Sequence, residues 1–304
     1  MTPKWRRRAA RWGATLALIL VASELLARHF ISGSLNILRR SNDPLLLYEL
    51  KPGHYVSDGY FLRSPVVEYT VDERGCRQGG GVPAQGARPV YFLGSSLVFG
   101  IALEADSALP EVARRALAAR TPSIAIDPKN CSVPGYSLLQ TLRHAELAIE
   151  RDGVRTLALV IGPRHGTIPW DWMRTAPSSP EFRWLTERVR LARLAHLVRL
   201  VGESDGFRLP PAPPDDLRAA LDHFTAVVRR TGTRVTVFPL GRFEHPDFDL
   251  PRELQLRSLT MVALEPVPHD PRYVHPDGDH WNLAGTTRIV EAMTPALEAL
   301  VTPQ

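Results

Sequence analysis

The chain has 304 residues, 44% hydrophobic and 23% charged, an ordinary globular balance with room for one large α/β domain or two small ones and a core that needs no disulfide. Its formal charge of +5 is local, because Lys4, Arg6, Arg7, Arg8 and Arg11 supply the whole excess in a stretch that holds no acid. The remainder is neutral, which removes any charge-based case for a nucleic-acid partner.

The basic start runs into WGATLALILVASELLARHF, Trp12 to Phe30. Its uninterrupted apolar core, Trp12 to Ala22, is short against the ~20 residues of a full span. A basic flank before an apolar helix fits an uncleaved signal anchor with its basic end in the cytoplasm; a cleaved signal and a cytosolic amphipathic helix fit the same residues. The first two place the body outside the cytoplasm. Residues 33–86 hold LKPGHYV and EYTVDERGCRQGGG, short extended pieces and turns, and read as a membrane-proximal segment. The expected division is a membrane helix at 1–32, this segment at 33–86 and a domain at 87–304.

ARPVYFLG, Ala87 to Gly94, is a short apolar run after a proline-marked start and reads as a buried strand. Ser107 to Arg120 is helical, with Leu109, Val112, Ala113, Ala116 and Leu117 on one face. Ser123 to Asp127 alternates and leads into NCSVPGYS; Leu138 to Arg151 is helical; Thr156 to Gly162 is another apolar strand ending in glycine. Glu181 to Val201 reads as a long helix, apolar on one side and arginine-rich on the other, a face that suits solvent or an anionic surface. PPAPPDD breaks the chain, and Asp215 or Asp216 is placed to cap a helix from Leu217 to Arg230. Arg234 to Gly241 is a further strand, and Leu283 to Leu300 a closing amphipathic helix. Strands alternating with helices imply a three-layer α/β/α domain with a central parallel sheet, flavodoxin-like, whose site lies outside the carboxyl ends of the strands.

Three segments reach that edge. GSSLVFG puts serines just past a buried strand, where a hydroxyl stands at the sheet edge or caps a turn. NCSVPGYSLLQ places Gly135 between strand and helix, where its N–H is open to an oxyanion or merely makes a turn. HPDGDHWNLAG sets Asp277 three residues before His280, a spacing that lets a carboxylate fix an imidazole tautomer, though Pro276, Asp277 and Gly278 also suit a surface turn. His275, Asp277, Asp279 and His280 have no accompanying ligand cluster, so no metal site is expected. Cys76 and Cys131 lack metal-site spacing; they read as two small, partly buried thiols, although an exported chain is able to pair them.

Taken together and in this order, Gly94-Ser95-Ser96-Leu97, Gly135 in VPGYS and Asp277-Gly278-Asp279-His280 before WNLAG resemble the blocks of the SGNH or GDSL hydrolase superfamily. SELLAR, YELKPG and VDERGCR extend the resemblance to its membrane-anchored bacterial members. The resemblance implies Ser96 as nucleophile, His280 as base, Asp277 as its orienting carboxylate, and the N–H groups of Ser96 and Gly135 as the oxyanion hole. It implies no cofactor. Its substrate would be a small acyl ester, such as that of an acetylated envelope glycan, cleaved or transferred at the outer face of a bacterial inner membrane. Two departures stand out. Ser95 occupies the place of the family's aspartate, and Gly162-Pro163-Arg164-His165 stands where the family has GxND. Arg164 thus replaces an asparagine oxyanion donor, where it could compensate, fill the pocket or bind an anionic group. Both departures fit a non-catalytic relative that binds glycan or partners through the same groove. Trp170 and Trp172 could stack on a sugar ring or serve packing.

Overall fold

The structure, a computed structural model, describes residues 3–30, 37–57, 65–169, 189, 192, 209–276 and 278–302. In chain order it contains α1 (Pro3–Phe30), β1 (Leu38–Arg40), β2 (Tyr48–Leu50), β3 (Gly53–Ser57), β4 (Val67–Val71), β5 (Arg88–Leu93), α2 (Ser96–Phe99), α3 (Leu109–Arg120), β6 (Ile126–Asn130), α4 (Leu138–Asp152), β7 (Thr156–Ile161), α5 (Pro214–Thr231), β8 (Arg234–Pro239), α6 (Leu250–Leu256), β9 (Thr260–Met261) and α7 (Leu283–Val301). The helix expected at Glu181 to Val201 lies outside the described residues.

The last five strands form one parallel sheet in the order β6-β5-β7-β8-β9. Alternation along each strand sends its side chains to two faces. Val90, Phe92, Ala158 and Val160 meet α3 and α7 on one face, through Leu109, Leu117, Ile289 and Met293. Tyr91, Leu93, Leu157 and Leu159 meet α4 and α5 on the other, through Leu142, Ala145, Leu221 and Phe224. This is the expected three-layer α/β/α domain. Pro128 is tolerated because β6 is an edge strand, where a missing donor costs no ladder bond. The chain runs from β5 outward to β6, then returns to the far side of β5 as β7. The crevice of this sheet therefore opens between the carboxyl ends of β5 and β7.

Within residues 37–57 and 65–86 two antiparallel strand pairs form, β1–β2 and β3–β4. Their buried side chains, Tyr48, Leu50, Val67, Tyr69 and Val71, share a core with Phe99, Ile101, Val133, Tyr136 and Leu147. These strands therefore pack on α2, on the segments that follow α2 and β6, and on α4.

Two expectations are corrected. Cys76 and Cys131 are joined in a disulfide across 55 residues; the pairing is long-range, so no local spacing could announce it. Neither Asp215 nor Asp216 caps α5. That helix starts a turn earlier, with Pro213 as N-cap and Pro214 in its first turn, where proline's missing N–H is harmless. Both aspartates then lie within the first turn, favourable for the exposed N–H groups there. α6 and β9 also add a short helix and an edge strand between Gly241 and His275, too brief for periodicity to reveal.

α1 is a single 28-residue helix, and Trp12, Leu16, Leu18, Ile19, Leu20, Val21 and Leu25 along it are exposed. Among the described residues, no helix is long and apolar enough to cross a membrane.

Candidate functional site

The site is built where β5 and β7 end. β5 closes at Leu93, and Gly94 makes the step to α2 possible: a Cβ there would come 2.7 Å from the Val160 carbonyl oxygen and 2.8 Å from Val98 Cγ2. Ser95 follows in extended conformation as the residue before the first turn, with φ −108° and ψ −152°, and Ser96 is the first residue of α2. Ser96 is half-buried while Ser95 is buried. The Ser96 N–H belongs to the first turn of a helix, whose leading donors have no partner within the helix. The strand therefore ends in a way that leaves a hydroxyl and a free backbone donor together at the sheet edge.

β6 leads by Cys131–Pro134 to Gly135, which is exposed and has φ +82°. Ser137 then begins α4 with a reciprocal cap: its hydroxyl accepts from the Gln140 N–H at 3.4 Å and its own N–H donates to Gln140 Oε1 at 3.1 Å. The Gly135 turn is thus held between a strand and a firmly started helix. Tyr48 adds a further restraint by donating to the neighbouring Pro134 carbonyl at 3.1 Å.

β7 leads to Gly162 and a tight 3-10 turn, Pro163–Gly166. Two side chains of this turn reach the other segments. His165 Nε2 lies 2.9 Å from Ser95 Oγ, and Arg164 Nη2 donates to Asp279 Oδ1 at 2.8 Å. The turn therefore stands between the Ser95–Ser96 step and the loop that carries His280. The His165 tautomer follows from its second contact. The Gly162 N–H donates to Nδ1 at 3.2 Å, so the single ring proton of the neutral imidazole sits on Nε2 and is donated to Ser95. Burial, with the Arg164 charge adding, pushes the His165 pKa down to about 4. The ring is therefore neutral at physiological pH, and with its proton directed at Ser95 it is no base for that hydroxyl.

The His280 loop is closed on itself. The His275 N–H donates to the His280 carbonyl at 2.7 Å, Val274 bridges Trp281, and Trp281 is buried in the core beneath. Asn282 caps α7 by accepting from the Gly285 N–H at 3.1 Å, and its amide donates to the Arg272 carbonyl at 3.1 Å. WNLAG thus fixes the loop to the last helix, with His280 half-buried and Asp279 exposed. Asp277, Trp170 and Trp172 lie outside the described residues.

Of the residues expected at the site, Ser96, Gly135, Arg164 and His280 all follow or adjoin elements that end at the carboxyl edge of one sheet. The Ser95–His165 contact was missed by sequence reading, which gave His165 no role. Its signal was present: His165 occupies the final position of the block that departs from GxND.

No protein-family model and no curated protein matches the chain. Among solved structures it is similar to TesA, at 16% identity and a TM-score of 0.45, covering 70% of this chain and 99% of that one. It is similar to the psychrotrophic esterase EstA from Pseudoalteromonas sp. at 10% identity and a TM-score of 0.44, covering 70% and 97%. A lipase/acylhydrolase from Enterococcus faecalis gives 14% identity and a TM-score of 0.44, covering 71% and 98%.

Proposed function

We propose that the protein is a serine ester hydrolase of SGNH type that acts on a small acyl ester. The observation that carries this reading is the pair of contacts made by one turn, His165 to Ser95 and Arg164 to Asp279, which draws the Ser96 and His280 segments to the same rim. In this reading Ser96 Oγ attacks the acyl carbonyl while His280 takes its proton. Asp277 orients the imidazole and stabilises its charged form. The N–H groups of Ser96 and Gly135 receive the oxyanion of the tetrahedral intermediate. Collapse breaks the ester bond, and His280 returns the proton to the leaving alkoxide. Water then repeats the sequence on the acyl-enzyme and frees the acid and Ser96. Arg164, exposed and held by Asp279, brings positive charge to the rim where the family's asparagine would stand.

The substrate class is an acetylated envelope glycan, and the domain works in the periplasm, held to the inner membrane by α1. Two observations support the location. Apolar side chains along α1 are exposed, and the Cys76–Cys131 disulfide suits an oxidising compartment. Trp170 and Trp172 are proposed to stack on the sugar.

The test is labelling by a fluorophosphonate, which reacts with activated serines. The parent is expected to label, and Ser96→Ala and His280→Ala to abolish it. A folded parent that does not label overturns the hydrolase reading in favour of a glycan-binding module in the same groove.

A further inference from the structure

The short helix that begins with Ser96 is held from its far end. α2 has four residues, too few to persist on internal hydrogen bonds. Its trailing carbonyls, and those just beyond, are taken by two buried side chains from outside. Asn130 Nδ2 donates to the Val98 carbonyl at 3.1 Å and to that of Phe99 at 3.2 Å. Arg77 Nη1 donates to Phe99 at 2.8 Å and Gly100 at 2.7 Å, and Nη2 to Leu103 at 2.6 Å. Gly100, at φ +80°, is what admits the guanidinium: a Cβ there would come 3.1 Å from Nη1 and 3.0 Å from Ala108 Cβ.

Arg77 is 2% exposed and forms no ion pair with a carboxylate among the described residues. Its charge rests instead on those carbonyls and on the faces of Tyr69 and Phe99, whose centroids lie 4.5 and 5.2 Å from the guanidinium carbon. A buried cation with no carboxylate in contact is costly, and simple packing would be served better by an apolar side chain. The carbonyl end of a helix, however, is where a cation is favoured. The two donors are also joined to each other. The Arg77 N–H donates to the Asn130 carbonyl at 2.7 Å, and the adjacent residues, Cys76 and Cys131, form the disulfide.

From this we infer that Arg77 is a positioning residue: with Asn130 it grips α2 by its carboxyl end so that Ser96, at the other end, keeps its place at the sheet edge, and the Cys76–Cys131 bond keeps the two donors in register. The inference rests on Ser96 as nucleophile. It makes the activity sensitive to thiol reductants through a bond that touches neither substrate nor base.

The experiment compares the full-length parent, Arg77→Lys, and Cys76→Ser/Cys131→Ser in three readouts: kcat and KM on a p-nitrophenyl acetate probe, rate of fluorophosphonate labelling, and amide hydrogen exchange in residues 97–103. Arg77→Lys keeps the charge and loses the fork that reaches three carbonyls. It is expected to lower kcat and labelling about tenfold or more, as small displacements of a reacting group do. KM should stay within about twofold, since ester binding is untouched. Exchange should quicken at 97–103 and not in α3 or α7. The double serine variant, and the parent under dithiothreitol, should shift the same way to a lesser degree, with recovery of the parent on reoxidation. A folded Arg77→Lys variant with the parent's kcat and labelling overturns the inference, as does a loss of rate with exchange raised evenly across the domain. If the parent itself fails to label, the reading of Ser96 fails, and the exchange arm still decides the grip: equal exchange at 97–103 in parent and variant overturns it.

Discussion

The imidazole of His165 can be tested one nitrogen at a time. In His165→Asn the amide oxygen replaces Nδ1 and keeps an acceptor for the Gly162 N–H, while the donor to Ser95 is lost. In His165→Gln the amide nitrogen replaces Nε2 and keeps the Ser95 contact, while the Gly162 N–H loses its acceptor. Losing one ordinary hydrogen bond costs about 0.5–1.5 kcal/mol, whereas stranding a buried donor costs about 1–3 kcal/mol. At about 2–4 °C per kcal/mol for a chain of this size, Asn should lower Tm by about 1–6 °C and Gln by about 2–12 °C. Turnover should run in the opposite order. Asn frees Ser95, the residue that leads into α2, and should lose more kcat than Gln. Thermal denaturation and steady-state hydrolysis of p-nitrophenyl acetate on the same samples decide it. A Gln variant more stable than Asn, or one order shared by both measurements, would show that the proton is on Nδ1 and that His165 does not anchor Ser95 as described.

Other outcomes follow from the same geometry. Burial pushes His165 and His144 each from 6.5 down to about 4, so between those values the unfolded chain binds more protons than the folded one. Stability is therefore present above about pH 6.5 and lost as pH falls toward 4, by about 3 kcal/mol for each ring; urea denaturation at pH 7 and 4.5 should show a smaller difference in His144→Phe, and an unchanged difference refutes the assignment. Gly94→Ala forces a methyl against the Val160 carbonyl and Val98, and should cost about 1–3 kcal/mol and slow labelling of Ser96; parental Tm and labelling would contradict it. Arg164→Asn breaks an exposed ion pair, so stability should change by less than about 1 kcal/mol. Its kcat/KM should fall, because the charge at the rim and the tie to the His280 loop are both lost; a rise would show that the guanidinium obstructs the pocket.

Much of this fold is written locally. β5, β7 and β8 are apolar runs bounded by glycine or proline, and α4 and α7 have a clear apolar stripe. The strand ends put Ser96, Gly135 and Arg164 at the carboxyl edge of the sheet, and the Arg164–Asp279 contact brings the His280 loop toward them. The end of the closing loop was legible because Trp281 packs into the core and Asn282 caps α7. The remainder depends on pairings far apart in the chain. His165 meets Ser95 across 70 residues, and Cys76 meets Cys131 across 55. Arg77 looked like part of a polar turn, yet is among the most buried charges in the domain. Short elements such as α6 and β9 carry too few residues for a period to show.

The central claim is that folding brings the Ser96 hydroxyl and the His280 imidazole to one acyl group. The most direct measurement is a crystal structure of the full-length protein after reaction with an ethyl fluorophosphonate. The account predicts phosphorus bonded to Ser96 Oγ, its free oxygen within about 3 Å of the Ser96 and Gly135 N–H groups, and the His280 ring within hydrogen-bond reach of the ester oxygen. Phosphorus on Ser95, or a His280 ring turned away from the adduct, would contradict it.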